Sequence, residues 1–142
     1  MAILDYKTGQ VERPRRWFDE RPRASQLGLY TLAQRAAQPT LAVRAVAYAE
    51  LRAEGAAAVG VAADEHAWPG LESAAAAVPG GTWVGLETWW RTRLAALAGE
   101  VAAGHAMVAP RTKPSPCPNC GLQALCRIES ARGFNRGEAD DE

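Results

Sequence analysis

The segment TLAVRAVAYAELR, residues 40–52, alternates small apolar residues with larger or charged ones. Ala45, Ala47, Ala49 and Leu51 fall on one side, and Arg44, Val46, Tyr48 and Glu50 on the other. A period of two belongs to a strand. Glu54-Gly55 follows as turn chemistry, and AAAVGVA at 56–62 reads as a second strand, so the pair predicts a β-hairpin. The middle of the chain is thereby committed to a sheet. Residues 2–7 read as a further short strand, and residues 24–37 as a helix with Ser25 as N-cap and Pro39 as its stop. Residues 63–82 read as loop or short irregular helix, punctuated by Pro69-Gly70 and Pro79-Gly80-Gly81. Leu86, Trp90, Leu94, Leu97 and Val101 form one apolar stripe at helical spacing, with Gly104 as the residue after the helix end. A Pro-rich and then Cys-rich segment follows, and residues 131–142 read as a disordered acidic tail. There are no internal repeats.

A chain of 142 residues suits one domain, and 48% apolar residues suffice for a core, although much of that is alanine. Sixteen basic residues balance sixteen acidic ones, so nucleic acid or membrane can be met only through a local cluster. No apolar run approaches the roughly 18 residues of a membrane helix. Asp5 and Lys7 fall where the apolar core of a signal peptide would lie, so a cytoplasmic location is expected. All three cysteines lie within residues 117–126, a poor disulfide framework and a better metal or cluster set.

The stretch ILDYKTG, residues 3–9, interrupts an apolar strand with Asp5 and Lys7, two apart and hence on one face. A surface ion pair on an edge strand has that spacing. So does a site in which a carboxylate holds Mg²⁺ and a lysine orients water and stabilises phosphate charge, the arrangement of metal-assisted phosphodiester hydrolysis. Gln26 and Tyr30 are i and i+4 on the following helix and share a face. Between strand and helix stand Arg13, Arg15, Arg16, Arg21 and Arg23, placed either to meet DNA phosphates or to form a solvated loop with Glu12, Asp19 and Glu20. Trp17 in that loop can stack on a base or pack the loop down, and Trp83, Trp89 and Trp90 belong to the core or to a subunit surface.

LDYKTG followed by QLGLYTLAQ resembles the C-terminal nuclease domain of RecB-type and AddB-type helicase–nucleases, in the PD-(D/E)XK superfamily. The resemblance covers residues 3–130 or so and implies an α/β fold, the later half of a restriction-endonuclease-like domain. It implies a D-x-K pair on a central strand, with Asp5 as metal ligand and Lys7 as catalytic residue. It adds the Tyr6 backbone carbonyl as a further ligand for Mg²⁺ or Mn²⁺, and Gln26 and Tyr30 lining the active site and DNA channel. The implied activity is hydrolysis of DNA phosphodiesters in double-strand-break repair and recombination, with a helicase partner.

Cys117-x-x-Cys120 and Cys126 have two readings by spacing, a small zinc site with His105 as a fourth ligand, or an iron–sulfur cluster. The resemblance favours the cluster, because AddB-type domains carry Cys-x-x-Cys-x5-Cys followed by a segment like ALCRIES. By the same resemblance, a [4Fe–4S] cluster would be held by Cys117, Cys120 and Cys126, with its fourth ligand absent from this chain.

The same family places a histidine and an aspartate of the metal site ahead of the D-x-K strand, and only four residues precede Asp5. His66 and His105 lie downstream and read as ordinary surface residues. The expectation is therefore a partial nuclease domain over residues 1–130, with its Cys-rich segment at 110–130, lacking an N-terminal part and weak in activity when alone. The rival expectations are a non-catalytic DNA-binding or interaction module and a small zinc-binding protein.

Overall fold

The computed structural model describes residues 1–22, 24–108 and 115–126. Residues 1–102 form one compact unit and the segment from residue 103 a second. In the first unit, strands β1 (Ala2–Lys7), β2 (Ala45–Arg52), β3 (Gly55–Ala62) and β4 (Glu72–Ser73) form one mixed sheet in the order β1-β2-β3-β4. β1 runs parallel to β2, β2 antiparallel to β3, and β3 parallel to β4. The parallel pair requires a crossover, which helix α1 (Gln26–Ala37) supplies.

The hairpin forms with Arg52 opposite Gly55, so Ala53 and Glu54 make the turn. β2 begins at Ala45, later than the sequence pattern suggests. Residues 43–44 instead join it to its neighbours: Val43 is buried, and the Arg44 amide donates to the Met1 carbonyl at 2.9 Å. Ala45, Val46, Ala47 and Tyr48 are all buried, so the first half of β2 is covered on both faces. The expected two-sided alternation therefore describes size and not exposure. Gly60 lies opposite Ala47, where a β-carbon would stand 2.0 Å from the Val46 carbonyl oxygen. Only glycine permits that approach.

The structure also departs from expectation at β1 and at Ser25. The resemblance implied a central D-x-K strand, but among the described residues β1 lies at the sheet edge, paired with β2 alone. Ser25 occupies the N-cap position without capping. Its backbone is already helical (φ −79°, ψ −16°) rather than in the extended conformation of a capping residue, and no cap hydrogen bond forms.

Helix α2 (Ala74–Ala77) is a single turn, and helix α3 (Trp83–Ala102) is long. The apolar stripe of α3 is buried only at its start: Leu86 and Trp90 are buried, Leu94 and Leu97 are half-buried, and Val101 is 78% exposed. The core gathers Trp17, Leu27, Val46, Tyr48, Val61, Leu86 and Trp90. Trp83 and Trp89 pack against it from the edge. Glu87, buried on α3, accepts from the Trp83 indole N–H at 3.0 Å and lies 3.6 Å from the Arg35 guanidinium, joining α3 to α1. Gly104, with φ +71°, ends the helix as expected.

The second unit carries a 3₁₀ turn (Cys117–Asn119) and a one-turn helix α4 (Gln123–Cys126). The tail at residues 131–142 lies outside the described residues, as do Arg23 and residues 109–114.

Helix α1 touches α3 at Gly28. A β-carbon there would come within 2.8 Å of the Trp90 ring, which is fully buried and cannot swing away. Overpacking of this kind costs on the order of 1–3 kcal/mol. Gly28→Ala is expected to destabilise the fold by that amount in urea unfolding, against the small gain alanine normally brings inside a helix.

Candidate active site

The two sequence motifs meet at one ammonium group. Lys7 Nζ lies 2.8 Å from Asp5 Oδ2, its neighbour on the same strand face, and donates to Gln26 Oε1 at 2.5 Å. Lys7 ends β1 and Gln26 begins α1, so the bond ties the strand to the helix that follows it. The register of the parallel pair puts Tyr48 beside Asp5 and Glu50 beside Lys7. All four side chains therefore leave the same face of the sheet. Lys7 Nζ stands 5.5 Å from the centre of the Tyr48 ring, in cation–π range. Lys7, Gln26 and Tyr48 line an open cleft of about 240 Å³ together with Gln10, Val11 and Glu12.

Asp5 Oδ2 is buried and accepts no hydrogen bond, even though the Lys7 ammonium is near. The contact is an ion pair whose angle makes no hydrogen bond. A buried carboxylate oxygen with unspent acceptor capacity fits one coordination position of a hard divalent cation. Among the described residues no three His, Cys, Asp or Glu side chains are arranged as a metal-holding group. Asp5 thus offers a cation one carboxylate, outside any such group.

Tyr30 stands one turn beyond Gln26 on α1, 45% exposed, and does not line the cleft. Tyr6 points to the opposite side of β1 and is 70% exposed. Arg13, Arg15 and Arg16 surround a 3₁₀ turn (Pro14–Arg16). Arg21 turns elsewhere and pairs with Glu100 of α3 at 2.8 Å. Trp17 packs the loop down rather than facing a ligand: it is buried, edge-on to Tyr48 at 6.0 Å and beside Trp90 at 6.2 Å.

In the second unit Cys117, Cys120 and Cys126 form no disulfide. Cys120 Sγ accepts the Leu122 N–H at 3.4 Å, whereas the Cys126 thiol donates to the Gln123 carbonyl of its own helix at 3.5 Å. As placed, the three thiols do not constitute a cluster-binding set. His66 and His105 are surface residues, as the sequence suggested.

The sequence does not mark Tyr48 or Gln10 as cleft residues, and Glu12 stands there only as an acid of the arginine loop. Tyr48 was visible only as one member of the hairpin alternation. Its place beside Asp5 follows from strand register, which no local pattern in β1 or β2 announces.

Burial, the Asp5 carboxylate and Tyr30 together push the Tyr48 phenol from 10.0 up to about 12. The protonated phenol is thus favoured by folding. Its stabilising contribution is complete below pH 10 and is lost as pH rises from 10 to 12, where the unfolded chain releases the proton first. The stability difference between the unaltered chain and Tyr48→Phe is expected to stay constant below pH 10 and to shrink above it. Urea unfolding of both proteins across that range checks this.

No curated protein and no solved structure matches the chain. No helix among the described residues is long and apolar enough to cross a membrane. A family model does match, the PD-(D/E)XK nuclease superfamily over residues 1–127, which spans β1, the cleft and all three cysteines. The D-x-K strand and the glutamine helix that meet at Lys7 thus lie in a chain that belongs to the PD-(D/E)XK nuclease superfamily.

Proposed function

We propose that residues 1–130 are a nuclease domain of the RecB/AddB type that hydrolyses DNA phosphodiesters, with Asp5, Lys7, Gln26 and Tyr30 as its working side chains. The observation that carries this reading is the placement of Lys7 between Asp5 and Gln26, at 2.8 and 2.5 Å, on the wall of a cleft. An exposed ion pair would explain the first contact but not the second.

Asp5, with the Tyr6 carbonyl, would hold Mg²⁺ or Mn²⁺. Bound there, the ion would supply Lewis-acid polarisation of the phosphate and acidify a water molecule. Lys7 holds its charge toward the cleft because Gln26 fixes the ammonium from the helix side and Tyr48 supports it from below. It positions the attacking water and offsets charge on the phosphate. Gln26 and Tyr30 present amide and phenol groups to the DNA backbone, and Arg13, Arg15 and Arg16 add phosphate contacts. A role in double-strand-break repair beside a helicase subunit follows from the family type. The Cys-x-x-Cys-x5-Cys spacing supports a [4Fe–4S] cluster at Cys117, Cys120 and Cys126, which needs a fourth ligand and a rearrangement of the thiols. Iron and sulfide analysis of anaerobically purified protein tests that part, and stoichiometric zinc would replace it.

A second reading rests on the lack, among the described residues, of three His, Cys, Asp or Glu side chains arranged to hold a metal. The domain would then bind DNA without cutting it. Metal-dependent cleavage of single- and double-stranded DNA separates the two. On the nuclease reading Lys7→Ala lowers cleavage by about 100-fold or more, and Asp5→Ala abolishes cleavage while leaving DNA affinity nearly unchanged. Cleavage that survives Lys7→Ala would sink the assignment. Metal occupancy has its own readout: MnCl₂ is expected to raise the melting temperature of the unaltered chain and not that of Asp5→Asn.

A further inference from the structure

Beside the cleft lies a second hollow of about 230 Å³, and Gln10, Val11 and Glu12 line both. Its remaining wall carries Arg13, Arg15, Arg16 and Arg52, with the carboxylates of Glu12 and Glu50. The two carboxylates do not cancel the four guanidiniums. Glu50 is committed to Arg52 at 2.5 Å and Glu12 lies 3.7 Å from Arg16, while Arg13 and Arg15 form no ion pair among the described residues. Two positive charges stand uncompensated in a concave, polar site.

The hollow is built rather than accidental. Its floor includes the Glu50 carboxylate, buried on β2 beside Lys7 in register, and that carboxylate fixes the Arg52 guanidinium. Its rim is held by Pro14 and Trp17. Pro14 is buried, and the Trp17 indole N–H donates to the Glu12 carbonyl at 2.9 Å with the ring locked in the core. The arginines between these anchors are therefore presented on a fixed turn. Planar guanidiniums in such an array match the oxygens of a phosphate.

We propose that this hollow binds one backbone phosphate of a polynucleotide strand, adjacent to the phosphate lying in the Lys7 cleft. The inference rests on the nuclease reading for the identity of the strand. It adds that Arg52 and the buried Glu50 belong to the substrate site, Glu50 by orienting Arg52. Strand position over Asp5 and Lys7 is then set by a grip one phosphate away.

The test is binding of a fluorescent dT oligonucleotide in EDTA, followed by anisotropy over a range of NaCl concentrations. Arg13→Gln combined with Arg15→Gln is expected to weaken binding at least five-fold at 50 mM NaCl and to lower the salt slope by about 0.7 for each phosphate that is no longer neutralised. Arg91→Gln with Arg93→Gln removes the same charge from exposed positions of α3 that line neither hollow, and should change affinity less than two-fold. Equal losses in the two double variants would mean a diffuse field and overturn the proposal. So would polyglutamate competing as well as the oligonucleotide, or no binding by the unaltered chain. Because EDTA prevents cleavage, failure of the nuclease reading leaves this result interpretable. Lys7-dependent cleavage unaffected by the loss of Arg13 and Arg15 would remove the pocket and keep the nuclease.

Discussion

The first unit depends on the burial of Trp17. Its ring lies between Tyr48 of the sheet and Trp90 of the long helix, and its N–H reaches back to the Glu12 carbonyl. A buried indole left without an acceptor would carry an appreciable desolvation cost, which this bond removes. The core thus closes around a residue contributed by a loop, and the loop acquires a fixed path. That path takes Gln10 to Arg16 across the open end of β1 and β2 and shapes both hollows. Core packing and the local geometry of the site are consequences of one side chain.

Much of this was legible in the sequence. The alternation from Ala45 and the turn at Glu54-Gly55 foretold the hairpin, and the stripe from Leu86 foretold the long helix, because period is a local property. The D-x-K face was also local, since residues two apart on a strand share a side. What remained hidden came from non-local pairing. Nothing in ILDYKTG indicates that Tyr48 will lie beside Asp5, or that Glu50 will face Lys7, because parallel register is set across a helix crossover. The exposure of Val101 was equally invisible, since periodicity says which face a residue occupies and not how far the opposing layer extends. Ser25 failed as a cap for a backbone reason that its identity does not disclose.

The acidic and basic groups of the site are few, and their arrangement matters more than their number. Asp5 keeps an unsatisfied buried oxygen while Lys7 turns its hydrogen-bonding toward Gln26. Glu50, one strand over, is neutralised by Arg52 instead of by Lys7, although the register places Lys7 closest in the ladder. The sheet therefore carries two separately balanced charge pairs, side by side. Within these pairs Asp5 Oδ2 keeps an acceptor that no hydrogen bond uses, and Arg52 lines the second hollow.

Position 48 belongs at once to the core and to the cleft. Its ring fills the space against Trp17 and lies beneath the Lys7 ammonium, while its phenol lies within the influence of Asp5 and Tyr30. Phenylalanine would meet the volume requirement alone, and a small hydroxyl residue would meet the polar one alone. The tolerance of this position to substitution is therefore the intersection of two demands, narrower than either a packed interior or a reactive surface would impose. Variation that adapts the cleft must proceed through its other walls, and most readily through the arginine turn.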